Sequence, residues 1–342
     1  MFSSCFTIRE NLEERSKYLL VNSFEEKYQG RNEIKMKREF YFLSKDERTQ
    51  IHAIEWMPEG KVKAVLQMCH GMVEYIDRYH DFAEYLCANG YYVVGHDHLG
   101  HGKSISSSDR LGFFHETNGN EYVIGDIHEL RIRTEQKHPH VPYFMMGHSM
   151  GSFLVRQYIG FYGAGLAGAI IMGTGDQPSA ILGMGKAICR LEAMLHGWKH
   201  RSHLVDNMAA GGYNKRFEKE TDGSNWLSRN PENVKNYRND LLCGYMFTVN
   251  AYYHMFSGMI KMNQQEKAGR VPKGLSVVFV AGKEDPVGNF GKGVKAVYKR
   301  YKENGIQDVK IRLYENDRHE ILQELDREQV FGDLLMWLEK RS

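Results

Sequence analysis

Gly147-His148-Ser149-Met150-Gly151 narrows the choice of fold more than any other segment, because of what surrounds it. A short buried run, Pro142–Met146, precedes it, and an amphipathic stretch, Ser152–Ile159, follows. A strand that becomes a helix within so few residues leaves no space for side chains at the ends of the turn, which glycine supplies. The serine at its apex is lifted to a helix N-terminus, whose positive end favours a developing negative charge. Ser149 is therefore the candidate nucleophile. The bland alternative, an ordinary glycine-rich turn, is disfavoured by the strand and helix patterns on either side.

The same alternation runs through most of the chain. Glu39–Leu43 and Gln50–Trp56 read as a hairpin across the polar turn Ser44–Glu47. Ala64–Cys69, Tyr91–Gly95, Ala167–Met172, Leu275–Ala281 and Val309–Leu313 read as further strands. Helical patterns at Tyr79–Asn89, Glu121–Lys137, Gly291–Asn304 and Glu320–Glu339 separate them. Strands alternating with helices imply an α/β fold with a mostly parallel central sheet covered on both faces. The rhythm stops after Gly175 and resumes near Gly269, with helical stretches and loops between. We expect an α/β core over residues 37–174 and 270–342, a helical insert over 175–269, and an N-terminal extension of unknown role over 1–36.

A serine hydroxyl needs a base to take its proton. After a nucleophile on such a turn, the acid and then the base follow in chain order, each on a loop after a late strand. Asp285, in Gly282–Gly288, and His319, in Asn316–Glu320, have that order. His319 would shuttle the proton and Asp285 would fix its tautomer. Alone, His319 could be a surface histidine opening a helix and Asp285 a turn residue; Glu284 is a neighbouring alternative for the acid. The loop after Ala64–Cys69, His70-Gly71-Met72-Val73-Glu74, is placed to supply the Met72 N–H to an oxyanion beside that of Met150.

Together, HGMVE, GHDHLGHGKS (Gly95–Ser104), GHSMG, GKEDPVG and RHE resemble the α/β-hydrolase superfamily. Within it, the chain resembles the monoacylglycerol lipase, lysophospholipase and serine aminopeptidase group, over roughly residues 38–342. The resemblance implies a Ser-His-Asp triad, an oxyanion hole, no cofactor, and a helical cap between the sixth and seventh strands. Ser152 departs from a second glycine found in many relatives. The function implied is cleavage of a carboxylic ester through an acyl-enzyme, with a lysophospholipid or monoacylglycerol as the small lipid substrate. An amide-cleaving aminopeptidase, or a non-catalytic member that keeps the pocket, are the alternatives.

The cap would set specificity. Met184, Met194, Tyr245, Met246, Phe247, Tyr252, Phe256 and Met259 offer a Met and aromatic lining suited to an acyl chain, with Tyr245, Met246, Phe247 and Phe256 the substrate-contact candidates. They could equally pack cap helices together. An aminopeptidase would need a carboxylate for a free amine, and Glu192, Asp206, Glu218, Glu220, Asp222 and Asp240 are available in the cap.

Two rival chemistries have weaker support. Gly100-His101-Gly102-Lys103-Ser104 resembles the end of a phosphate-binding loop, but Asp97 stands where its first glycine belongs. His96, Asp97, His98 and His101 could bind a metal, yet no further ligand segment is assignable, and we expect a polar loop supporting the site and no metal. Lys and Arg total 45 against 43 Asp and Glu, too balanced to suggest a nucleic-acid partner. Five scattered cysteines without a CxxC spacing point to a reducing compartment. With no signal-peptide pattern and no apolar run approaching a membrane span, the expectation is a cytoplasmic protein, with transient membrane contact through the cap.

Overall fold

The apolar runs pair into one sheet of eight strands among the described residues, which are 37–217 and 223–342 of a computed structural model. The expected N-terminal extension over 1–36 lies outside them. The strands are β1 (Lys37–Leu43), β2 (Gln50–Trp56), β3 (Ala64–Cys69), β4 (Tyr91–His96), β5 (Tyr143–His148), β6 (Gly168–Met172), β7 (Ser276–Gly282) and β8 (Val309–Tyr314). Their spatial order is β1-β2-β4-β3-β5-β6-β7-β8. β2 pairs antiparallel with β1 and β4, and every later pairing is parallel.

Burial follows from position in that order. β3, β4, β5 and β6 are buried at every residue, as their nearly continuous apolar character requires. The edge strands instead carry charge: Lys37 and Arg38 on β1, Lys310 and Arg312 on β8. Charged edges discourage pairing with another chain. The β1–β2 hairpin has Leu43 opposite Gln50, and its loop is held by the Asp46 carboxylate, which accepts from the N–H groups of Arg48 and Thr49 at 2.8 Å each.

The flanking helices are α1 (His80–Ala88), α2 (Gly119–Lys137) and α3 (Met150–Tyr162). Between β6 and β7 the described residues form α4 (Ser179–His196), α5 (His203–Ala209), α6 (Pro231–Asn239) and α7 (Val249–Lys267). α8 (Lys292–Glu303) and α9 (Arg327–Glu339) complete the chain. Side-chain caps start three helices between β6 and β7. Ser202 accepts from Val205 N–H, Asn230 from Glu232 N–H ahead of Pro231 at the first turn, and Thr248 from Ala251 N–H. α3 lies against β3, β5 and β6, and α7 packs on both α3 and α4.

One packing contact is ionic. Arg156 on α3 and Glu266 on α7 are both fully buried and joined by two hydrogen bonds, of 2.8 and 3.0 Å. Arg156 also donates to Thr174 Oγ1 and Gly175 O, and Glu266 accepts from Arg300 and Tyr301. α3, the strand exit at 174–175, α7 and α8 therefore meet at one charge pair.

The last helix begins at Arg327, not at Glu320 as its pattern suggests. Tertiary bonds take residues 318–324 out of the helix: Glu320 N–H donates to Leu227 O at 2.7 Å, and the Glu324 carboxylate accepts from Arg318 and Arg229 N–H. Among the described residues no helix is long and apolar enough to cross a membrane. Cys69, Cys87, Cys189 and Cys243 are buried and unpaired. Burial alone pushes the Cys69 thiol well up, and it is the main cause that raises Cys87 to about 12, so both are inert core residues.

Candidate active site

β5 ends in the turn that starts α3, and its geometry is tight. A β-carbon on Gly151 would lie 2.1 Å from Cys69 O, and one on Gly147 would lie 2.2 Å from Gly151 O. Ser149 itself sits at φ +53, ψ −119, a strained conformation for a residue with a side chain. Its N–H donates to Met172 O of β6 at 3.0 Å, and its carbonyl accepts from the N–H and the hydroxyl of Ser152. Ser152, the departure from the relatives' second glycine, thus braces the turn from inside.

His319 and Asp285 arrive on the loops after β8 and β7. His319 Nδ1 lies 3.0 Å from Asp285 Oδ2, both residues being buried. The ring N–H is canted off the oxygen, so the contact is close without being a straight hydrogen bond, as is common before substrate binds. Asp285 Oδ1 is fixed by Val287 N–H at 2.8 Å. Glu284, the alternative acid, turns away to Arg216 at 3.0 Å.

Ser149 and His319 line one cavity together with Met72, Met150, Phe153, Tyr213, Trp226, Tyr237 and Met255. Among the described residues the N–H groups of Met72 and Met150 donate to no protein acceptor. Gly71 N–H, by contrast, is taken by Glu74 Oε1 at 2.6 Å. The His319 ring lies between those of Trp226 (5.0 Å between centroids) and His148 (4.7 Å).

Part of the cavity wall, Glu74, His148 and Glu320, belongs to a buried polar network that includes Arg78. Glu74 accepts from Gly71 N–H and Tyr79 OH, and pairs with Arg78. Arg78 donates two bonds to Glu320 and one to Asn233 of α6. His148 Nε2 donates to His319 O at 3.2 Å, and its Nδ1 faces Glu74. Burial disfavours charge on both Glu74 and His148, but Arg78 and His148 hold the Glu74 carboxyl well below the usual range, and Glu74 in turn raises His148. A glutamate four residues before an arginine, directly after the glycine loop, is the signal that could have flagged it.

The substrate-contact candidates fare differently. Phe256 lines a second cavity, which shares Phe153, Ala209, Tyr213 and Met255 with the first. Tyr245, Met246 and Phe247 line neither, which corrects the expectation. Phe247 is buried against His101 and Phe114 at 5.3 and 5.8 Å, and Met246 O accepts from Arg201. The Tyr245 ring sits 6.1 Å from that of His101. Met184 and Met194 are exposed. Helical spacing identifies an apolar face without distinguishing a face packed on the core from one lining a cavity. For that reason spacing does not single out Phe153 and Met255, and Tyr213 and Trp226 lie in turns, where no helical spacing exists to read.

The rival chemistries meet definite obstacles. Asp97 already occupies the anion position of its own loop, accepting from Lys103 N–H, Ile76 N–H and His52 Nδ1 at 2.8 to 2.9 Å. The Lys103 ammonium is engaged by Glu39. His96, His98 and His101 are buried around His70, whose Nε2 accepts from His98 N–H. They belong to no set of three ligand atoms lying within 4.8 Å of one another among the described residues.

These histidines make a pH prediction. Burial first, and then neighbouring His70, lowers His96 and His101 to about 3 and His98 well below its ordinary value. A folded-state pKa below the unfolded value near 6.5 gives stability that is complete above that value and lost as the pH falls. For His101 the loss is about 1.4 kcal/mol between roughly pH 7.5 and roughly pH 5.5. In His101→Asn the stability difference between those two pH values, from denaturant titration, should shrink by that amount.

The chain is similar to several known proteins. Residues 60–326 match the sequence family described as "Serine aminopeptidase, S33". Monoglyceride lipase of Homo sapiens is 24% identical over 297 residues, covering 84% of this chain and 86% of that protein. Monoacylglycerol lipase of Mycolicibacterium smegmatis is 25% identical over 291 residues, covering 83% and 90%. A thermostable carboxyl esterase from Bacillus coagulans, solved with glycerol, superposes with a TM-score of 0.82 at 26% identity, covering 89% of this chain and 98% of the other.

Proposed function

The chain belongs to the serine aminopeptidase family of α/β-hydrolases, in its monoacylglycerol lipase-like group, and from this we propose that it is a serine hydrolase cleaving the ester of a single-chain lipid. One observation carries the proposal: Ser149, His319, Met72 and Met150 line one cavity, the N–H groups of Met72 and Met150 have no protein acceptor among the described residues, and Asp285 lies behind His319. Ser149 Oγ attacks the ester carbonyl while His319 takes its proton, and the two N–H groups hold the oxyanion. His319 then gives the proton to the departing alcohol, leaving an acyl-enzyme. Water, deprotonated by His319, releases the fatty acid and restores Ser149. Asp285 holds the ring orientation and stabilises the imidazolium.

The segment between β6 and β7 is proposed as the cap, and the second cavity, lined by Ile181, Leu182, Val205, Met208, Phe256 and Met259, as the acyl-chain end of the site. A neutral head group suits the polar end better than a phosphodiester, because the first cavity is lined by Glu74 and Glu320 and by no Lys or Arg. Monoacylglycerol is therefore preferred over lysophospholipid. Ester is preferred over amide because three of the cap carboxylates named above are committed elsewhere: Asp206 to Tyr252, Asp240 to Tyr75 and Glu192 to His200. Glu218, Glu220 and Asp222 lie outside the described residues.

Exposed apolar residues on α4 and α5 (Ile181, Met184, Leu191, Met194, Leu195, Leu204 and Met208) support transient contact of the cap with a lipid surface. Cytoplasmic operation, in keeping with four buried free cysteines, completes the reading.

A substrate panel tests it: monoacylglycerols, lysophosphatidylcholine and aminoacyl arylamides, each offered with and without phosphatidylcholine vesicles. Monoacylglycerol should turn over fastest, and protein should co-sediment with vesicles. Arylamide turnover exceeding that of every ester would overturn the proposal, and absence from the vesicle pellet would remove the membrane contact.

A further inference from the structure

Away from both cavities, the outer end of α4 gathers three side chains with metal-ligand chemistry. Glu192 and His196 stand one helical turn apart. The helix then ends at Gly197, whose N–H donates to Ala193 O, and a turn closed by His200 N–H to Gly197 O brings His200 back beneath the helix end. This return is anchored, since His200 O accepts from Val249 N–H at 2.8 Å and Trp198 O from Asn250 N–H at 3.2 Å, both at the start of α7.

The result is a converging set. His200 Nε2 lies 3.3 Å from Glu192 Oε2, and the His196 and His200 rings are 4.6 Å apart. One ligand atom from each of the three residues lies within 4.8 Å of the others. A tetrahedral ion with bonds of about 2.0–2.2 Å holds its ligand atoms about 3.4 Å apart, so small side-chain rotations complete the fit. Two imidazoles with one carboxylate suit zinc-class ions rather than calcium or magnesium. Three cations close in sequence are engaged elsewhere: Lys199 by Asp109, and Lys186 and Arg190 over the Tyr253 ring. A carboxylate in the last turns of a helix also faces the negative end of its dipole, which a bound cation relieves.

We propose that Glu192, His196 and His200 bind one divalent transition-metal ion of the zinc class, with water at the open fourth position. The ion pins the last turn of α4 to the 197–202 loop that leads into α5. The site is independent of the esterase reading, because none of the three residues lines either cavity.

Isothermal titration of the full-length, metal-stripped protein with zinc tests this directly. One site should appear, weakened at least about tenfold in His196→Ala and in His200→Ala. Cobalt should give the visible absorption of a four-coordinate N/O site in the wild type and lose it in both variants. His196 is exposed, so its replacement does not threaten the fold. Zinc affinity and cobalt spectra unchanged in both variants, or no zinc uptake by the wild type at zinc well above the protein concentration, would overturn the proposal.

Discussion

Ser149→Ala should lower ester turnover by at least about 10⁴-fold and abolish labelling by a fluorophosphonate probe, with the thermal midpoint little changed. The size follows from the chemistry: without Oγ no acyl-enzyme forms, and only the oxyanion donors and substrate positioning remain. Stability should hold because the turn is set by Gly147, Gly151 and the Ser149 main chain, whose N–H and carbonyl keep their partners in the variant. Activity and labelling retained at wild-type levels would mean that another residue is the nucleophile.

The largest stability effect is expected at Arg156→Met, roughly 3–5 kcal/mol in denaturant titration. The methionine fills similar space but leaves Glu266 buried with only Arg300 and Tyr301 to compensate it, and strands the Thr174 hydroxyl and Gly175 carbonyl. Replacing both charges, Arg156→Met with Glu266→Met, should recover much of the loss, because apolar pairs of similar volume often equal a buried ion pair. If the single variant costs less than about 1 kcal/mol, the pair is not what joins α3 to α7.

Much of the core was legible because parallel strands buried on both faces leave uninterrupted apolar runs: Ala64–Cys69 and the strand before Ser149 were placed nearly to the residue. The turn at Ser149 was legible for a different reason, since close backbone approach excludes side chains at Gly147 and Gly151 and so writes itself into the sequence. Elements fixed by distant partners were not legible. Residues 320–326 carry a helical pattern, yet Leu227 and Arg229 draw them into a loop. The cavity lining failed in the same way, because Trp226 and Tyr213 reach the site through tertiary placement and lie in no periodic stripe. Glu74 and Arg78 were visible as residues, but Glu320, the second carboxylate that Arg78 holds, is 242 positions away.

His319 donates its N–H to Trp226 O, Glu320 donates to Leu227 O, and the imidazole rests on the indole of Trp226. The proposed cap and the proposed general base are thus joined to each other. On the proposed roles, displacing residues 226–229 should carry the imidazole away from Ser149, so that opening the cap would idle the site instead of exposing an active nucleophile to bulk water. For engineering, exchanging lids between homologues to change selectivity will succeed only if the loop bearing the histidine is transplanted as part of the same cassette.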